Sequence, residues 1–524
     1  SMKPYLLYEG QDFDFEADLP DNSDDVIGDL ELTTLLQAMA RGDKFLFEVS
    51  KRVVLTSLDD PQAIRYRQNV LTDFMREPDV LREMYAVALG ALEDKRGLWG
   101  YSSHYPTSIL SGAVHQLEAL VVRMKELRQV ADRHVEKFHS DGMRALLRTL
   151  QRELDDEYFQ TVNHHLNQLK FRRGELISME LDRDNSGVRY VLRSSGQAKS
   201  TWKERLGIGS RSSYSFTIPP RDEAGADALS DMVSRGINLV ANAAAQSADH
   251  ITSYFTMLRA ELAFYVSCLN LHEQLVAKDL NPVFPEPAHS EEGRLSFSDL
   301  RDAALALRSE RPVVGNDIQA DEKSMIIVTG ANSGGKSTFL RSVGLAQMMM
   351  QSGMFVVADT YRASVCRGVF THFIREEDTT MTSGRLDEEL ARMSTIADHI
   401  GPNCLMLFNE SFAATNEREG SEIARQVVGA LLEAGIRVLY VTHQYDFAES
   451  FVRQGNAATL FLRAEREVDG HRSFKLRVGD PLSTSFGEDL YRRLGGWLAE
   501  TDDAPARQHA TIGVGSSIRP EAAE

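Results

Sequence analysis

The chain has 524 residues, 42% hydrophobic and 26% charged, which is room for two to four globular domains. Its formal net charge of −19 argues against a protein that coats nucleic acid indiscriminately. Cys268, Cys366 and Cys404 supply neither a disulfide framework nor a metal-ligand spacing. No apolar run is long enough to cross a bilayer, so a cytoplasmic location and no membrane partner are expected.

Residues 1–30 carry nine acidic side chains against Lys3 alone, which predicts a solvated acidic arm over 1–25. From about 26 to 160 apolar residues recur every three or four positions, as in LTTLLQAMARGDKFLFEVSKRVVLTSL, and predict helices. A helical core domain is expected over 26–110 and longer helices over 111–285. Within the latter the period shifts: LISMEL (176–181), VRYVLR (188–193) and SYSFTI (213–218) predict a small β insert over about 170–220. Charge also reverses there. Between 161 and 220 ten basic residues, among them Lys199, Lys203 and Arg205, face five acidic ones. Helical periodicity returns from Asp222 to about Asp279 without a proline, which predicts a lever or coiled-coil arm rather than a compact core element. NPVFPEPAHSEEG (281–293) is a proline-rich linker and the expected domain boundary.

Beyond the linker, strands and helices alternate. MIIVTG (325–330), CLMLFNE (404–410) and IRVLYVTH (436–443) predict buried strands, and Lys336 to Met350 and Glu419 to Ala434 predict helices. This is the pattern of an open α/β sheet with crossover helices, expected over 290–498, followed by a disordered tail at 499–524.

Gly330-Ala331-Asn332-Ser333-Gly334-Gly335-Lys336-Ser337 fits the G-x-x-x-x-G-K-[ST] phosphate loop, between the strand and the helix that the motif requires. Main-chain amides and the helix N-terminus would cradle phosphates, with Lys336 reaching the β- and γ-phosphates and Ser337 facing Mg²⁺; Thr338 belongs to the same binding set. The strand LMLF ends in Asn409-Glu410. Such ATPases usually place an aspartate at the first position, so the amide of Asn409 leaves the metal site one charge short, while Glu410 is the candidate general base. His443, closing the next strand, is the candidate γ-phosphate sensor. Ser383-Gly384-Arg385 by itself is a helix cap.

Together these segments resemble the MutS family of ABC-type ATPases. TGANSGGKSTFLRSVGLAQMMMQSGMFVVA (329–358) is similar to its phosphate-loop segment almost throughout, and VVGNDI (313–318), VFTHF, LMLFNES, VLYVTHQYDFAE and LRVGDPLSTSFGEDL (476–490) resemble further motifs. In VVGNDI, Val313 stands where an aromatic is usual. The resemblance implies an α/β P-loop ATPase domain preceded by core and lever helices with a clamp-like insert. It implies ATP and Mg²⁺ as ligands and a homodimer that buries two ATPs, with Ser383 of one subunit facing the γ-phosphate of the other. Duplex DNA is the partner it suggests. The chain is too short for the full mismatch-repair protein, so no mismatch-recognition domain and no mismatch recognition are expected. The leading expectation is an ATPase that couples nucleotide state to DNA binding through helical arms. The alternative is a nucleotide-gated scaffold or clamp with slow or no hydrolysis, acting on a protein or ribonucleoprotein partner.

Overall fold

A computed structural model describes residues 2–98, 106–169, 176–181, 187–193, 215–216, 223–330, 335–375, 384–466 and 472–483. The helical region holds α1 (Ser23–Asp29), α2 (Leu32–Ala40), α3 (Lys44–Leu55), α4 (Pro61–Arg76), α5 (Pro78–Leu98), α6 (Pro106–His134), α7 (Asp141–Glu153) and α8 (Asp156–Leu169). Several starts are written into the sequence. The Asp43 carboxylate accepts the Phe45 and Leu46 N–H groups, Asp60 accepts that of Gln62 beside Pro61, and the Ser140 hydroxyl accepts that of Met143. The predicted β insert forms an antiparallel sheet of β1 (Leu176–Leu181), β2 (Gly187–Arg193) and β3 (Ser215–Phe216). The basic side chains that sequence reasoning singled out there lie outside the described residues.

Helix α9 (Glu223–Ala277) runs for 55 residues, roughly 80 Å at 1.5 Å per residue. Its second half corrects the expectation of a lever alone. Leu258, Leu262, Phe264, Tyr265 and Leu271 are fully buried, and α9 packs against α2, α3, α5 and α6. The segment AELAFYVSCLNL (260–271) is mostly apolar and buried around the whole circumference, and such a helix is a core spine.

The N-terminal segment likewise departs from a solvated arm. Leu6 and Leu7 are buried, and their N–H groups donate to Glu261 Oε1 on α9 at 3.0 and 2.9 Å. The Tyr66 hydroxyl donates to the Tyr5 carbonyl at 2.6 Å. Arg67, fully buried, donates to the Leu7 carbonyl at 3.1 and 3.0 Å and to the Ser352 carbonyl at 3.2 Å. Glu9, Asp14, Glu16 and Asp18 stay exposed. Burial pushes the Glu261 carboxyl up to about 7, against the pull of the two amides and Arg67. The segment is a strap: apolar residues interleaved with the acids hold it to the helical core.

The proline-rich linker is also fastened. Val283 pairs with Val356, and β4 (Glu286–Ala288) enters a sheet with β5 (Leu295–Leu300), β6 (Asn316–Gln319) and β8 (Thr360–Ser364), ordered β4-β8-β5-β6. The larger sheet contains β7 (Met325–Gly330), β9 (Val369–Phe373), β10 (Leu405–Asn409), β11 (Arg437–Val441), β12 (Thr459–Arg466) and β13 (Arg472–Val478), ordered β13-β12-β7-β11-β10-β9. All its pairs are parallel except β12 with β13. Between the strands run α10 (Ala303–Arg308), α11 (Lys336–Met350), α12 (Arg385–His399), α13 (Glu417–Glu433) and α14 (Tyr445–Gln454).

The larger sheet is covered on both faces, which is why its strands read as unbroken apolar runs. Ile326, Val328, Leu405, Leu407, Leu439 and Val441 join one core with α11 and the helical region. Met325, Ile327, Met406, Phe408, Val438 and Tyr440 join a second core with residues of α13 and α14. The first core is continuous from Leu6 to Leu476, so the helical region and the sheet share one interior. Gln351, just past α11, seals the junction. Its carbonyl accepts the Leu58 N–H at 2.8 Å, and its side-chain amide donates to the Leu58 and Cys366 carbonyls at 2.9 and 2.7 Å. Among the described residues, no helix is long and apolar enough to cross a membrane.

Candidate nucleotide site

Three neighbouring parallel strands deliver the site at their carboxyl ends, the edge where open α/β sheets bind ligands. β7 brings Gly330, β10 brings Asn409 and Glu410, and β11 leads to His443. Gly330 has φ 121°, and a Cβ there would lie 2.6 Å from the Ala464 carbonyl of β12. Gly335 has φ 88° and caps α11, and a Cβ there would lie 2.8 Å from the Phe474 carbonyl. Both ends of the loop therefore need glycine, for backbone reasons as well as space. Ala331, Asn332, Ser333 and Gly334 lie outside the described residues, as does Ser383.

Lys336 is the first residue of α11 and is 4% exposed. Its ammonium donates to the Gly330 carbonyl at 2.7 Å and lies 3.4 Å from Glu410 Oε1. Burial lowers its pKa, and Glu410 partly offsets that. Glu410 Oε2 accepts from the backbone N–H of His443 at 3.1 Å and lies 2.6 Å from its ring Nδ1. Burial works to raise the Glu410 carboxyl, but the His443 hydrogen bond and Lys336 outweigh it, and the net pKa is below the ordinary carboxylate value. The same hydrogen bond raises the His443 imidazole against the effect of burial. The three residues thus form a row, Lys336–Glu410–His443, joined through the Glu410 carboxylate, which is ionised at neutral pH.

Ser337 Oγ donates to Asn409 Oδ1 at 3.0 Å, so the two residues expected at a metal already touch, and Thr338 beside them is half-buried. Among the described residues no group of three or more His, Cys, Asp and Glu side chains is placed to hold a metal. A cation here would rely on this hydroxyl, this amide and ligand oxygens, a donor set that fits Mg²⁺ bound with a phosphate.

Two family profiles match the chain. One, described as the MutS2 N-terminal domain, matches residues 59–278, and the other, MutS domain V, matches 326–489. The chain belongs to the MutS family. Helices α4 to α9 fall within the first match and the larger sheet, from Ile326 on, within the second, and domain V is the family's ATPase domain. Among its relatives, DNA mismatch repair protein MutS of Porphyromonas gingivalis is 31% identical over 261 residues, 46% of this chain and 29% of that protein. Endonuclease MutS2 of Geobacillus kaustophilus is 30% identical over 217 residues, 40% of this chain and 26% of the relative. Putative endonuclease MutS2 of Bacillus subtilis is 25% identical over 461 residues, 80% of this chain and 57% of the relative. The chain thus matches less than two thirds of the length of each.

Sequence reasoning had named Gly330, Gly335, Lys336, Ser337, Asn409, Glu410 and His443, and the fold brings them together. It missed the buried groups behind Glu410: His372 in β9, Glu389 on α12 and the Tyr440 hydroxyl, which donates to the Ser411 carbonyl at 3.0 Å. The available signal was a histidine inside the apolar strand VFTHF, which a buried strand carries only when both ring nitrogens are satisfied.

Proposed function

We propose that this MutS-family chain binds ATP with Mg²⁺ at Gly330–Thr338 and hydrolyses it with Glu410 as general base. The observation that carries this reading is the Lys336–Glu410–His443 row at the mouth of a phosphate loop, with Ser337 on Asn409 beside it. In the structure Lys336 is held by Gly330 and Glu410, which store its charge where a phosphate would take it over. Transfer of the ammonium to phosphate leaves Glu410 paired with His443 alone. The carboxylate is then free on one oxygen to orient and deprotonate water. Mg²⁺, when bound, supplies charge neutralisation at the phosphates. His443 holds the direction of the carboxylate and is placed to sense what lies beyond it.

The relatives' names supply the wider setting: a mismatch repair protein and endonucleases. On that footing the chain works as a homodimer in the cytoplasm, with Ser383 completing the partner's site, and couples nucleotide state to DNA through its helical arms. Asn409 favours a second reading, a nucleotide-gated clamp with slow turnover on a protein or ribonucleoprotein partner, because an amide leaves the metal site one negative charge short. Phosphate release by the native chain and by Glu410→Gln decides between them. A fall of about 100-fold or more with nucleotide binding retained supports the ATPase. Equal, background-level rates support the clamp.

A further inference from the structure

The turn that carries Glu410 leaves the sheet along an unusual path. Glu410 and Phe412 have φ of 53° and 60°, a left-handed region that residues with a Cβ avoid and that persists only where neighbours over-determine it. The neighbours here come from β9 and α12. Glu389, 1% exposed on α12, accepts the Phe412 N–H on Oε1 at 3.0 Å. Its own carbonyl lies 3.0 Å from Nε2 of His372, a fully buried β9 residue. His372 Nδ1 lies 2.6 Å from Ser411 Oγ, and the ring stacks on Phe412 with centroids 5.2 Å apart and an interplanar angle of 25°. Gly420 closes the far side, where a Cβ would lie 2.2 Å from the Phe412 carbonyl.

Tautomer chemistry fixes the direction of these bonds. Burial first, and the nearby Arg392 cation next, hold the imidazole down to about 4, so the ring is neutral. A carbonyl can only accept, so the ring proton sits on Nε2 and points at Glu389. Nδ1 is then an acceptor, and the single Ser411 hydroxyl proton is shared between it at 2.6 Å and the His372 carbonyl at 2.7 Å. One side chain of α12 and one of β9 therefore hold the two residues that follow Glu410.

We propose that Glu389 is a positioning residue for Glu410. It acts through the Phe412 amide, with His372 and Ser411 as a second brace, so that α12 sets where the Glu410 carboxylate points. The inference rests on the reading of Glu410 as general base.

The test uses the full chain with Glu389→Ala and Glu389→Gln. In the alanine variant phosphate release falls about tenfold or more while ATP affinity stays within about twofold, since the defect lies in the aim of the base rather than in the phosphate loop. Amide exchange over residues 409–413 accelerates. Glutamine keeps an acceptor oxygen for the Phe412 N–H and restores both readouts. Unchanged turnover in Glu389→Ala, against a native chain that hydrolyses ATP, would overturn the proposal. So would a joint loss of affinity and turnover that glutamine fails to rescue, which marks a merely structural role. If the native chain releases no more phosphate than Glu410→Gln, the ATPase reading fails and the exchange data decide the brace. Faster exchange rescued by glutamine supports it, and unchanged exchange refutes it.

Discussion

Replacing Glu261 by glutamine isolates the electrostatic cost of the strap. This carboxylate lies on α9, is fully buried, and takes the amide protons of Leu6 and Leu7. Its folded pKa of about 7 stands well above the ordinary 4.5, with burial the largest cause. The native chain therefore keeps a proton that the unfolded chain has given up between those pH values. The unfolded state binds fewer protons, so stability falls as pH rises through that window. The contribution is intact below about 4.5 and lost above about 7. At about 1.4 kcal/mol per tenfold change in proton affinity, the ionised carboxylate costs about 3 kcal/mol above pH 7. Glutamine keeps an acceptor for Leu6 and Leu7 and carries no charge. The stability difference between Glu261→Gln and the native chain should then move by about 2 kcal/mol in favour of the variant between pH 5.5 and pH 8. Urea unfolding followed by far-UV circular dichroism at both pH values measures it. A difference that stays the same at the two pH values would refute the reasoning, because packing and hydrogen bonding of the amide do not titrate.

Three further outcomes test the site. Lys336→Ala removes the buried ammonium and should weaken binding of a fluorescent ATP analogue roughly 100-fold, about 2.7 kcal/mol. His443→Ala removes the contact that most lowers the Glu410 pKa, so the acid limb of the turnover–pH profile should move to higher pH; an unmoved limb would detach His443 from the base. On the DNA-binding reading, changing Lys199, Lys203 and Arg205 to glutamate should weaken duplex binding and flatten its salt dependence by about 0.9 per lost phosphate contact. Titrations at two salt concentrations check this, and unchanged affinity removes the surface from consideration.

The nucleotide site was legible because its parts are local. A strand, a glycine loop and a helix follow one another in sequence, and the helix expected from Lys336 to Met350 has those bounds. Strands β10 and β11 were legible for the same reason, each a short apolar run ending in a polar side chain. What the sequence concealed is set by distant partners. Counting acids at the N-terminus predicted solvent exposure, yet Leu6, Leu7 and Phe13 decide where the segment lies. The length of α9 could be read from its missing prolines, but its place in the core depended on apolar residues around the whole helix. The smaller sheet joins β4, β5 and β6 to β8, about forty residues beyond β6, and no local period announces such a pairing. Glu389 looks like one more charge on an amphipathic helix, and only the fold brings it to Phe412, 23 residues on.

The Gln351 junction bears on how the molecule can be divided. Separating the chain at the proline-rich connection would take Leu58 from the Gln351 amide and Ser352 from the Arg67 guanidinium, and would open to water the apolar core that the two pieces share. The two pieces would not behave as autonomous modules. Each would present a sticky, half-finished interior, and mixing them should regenerate the assembled form by complementation.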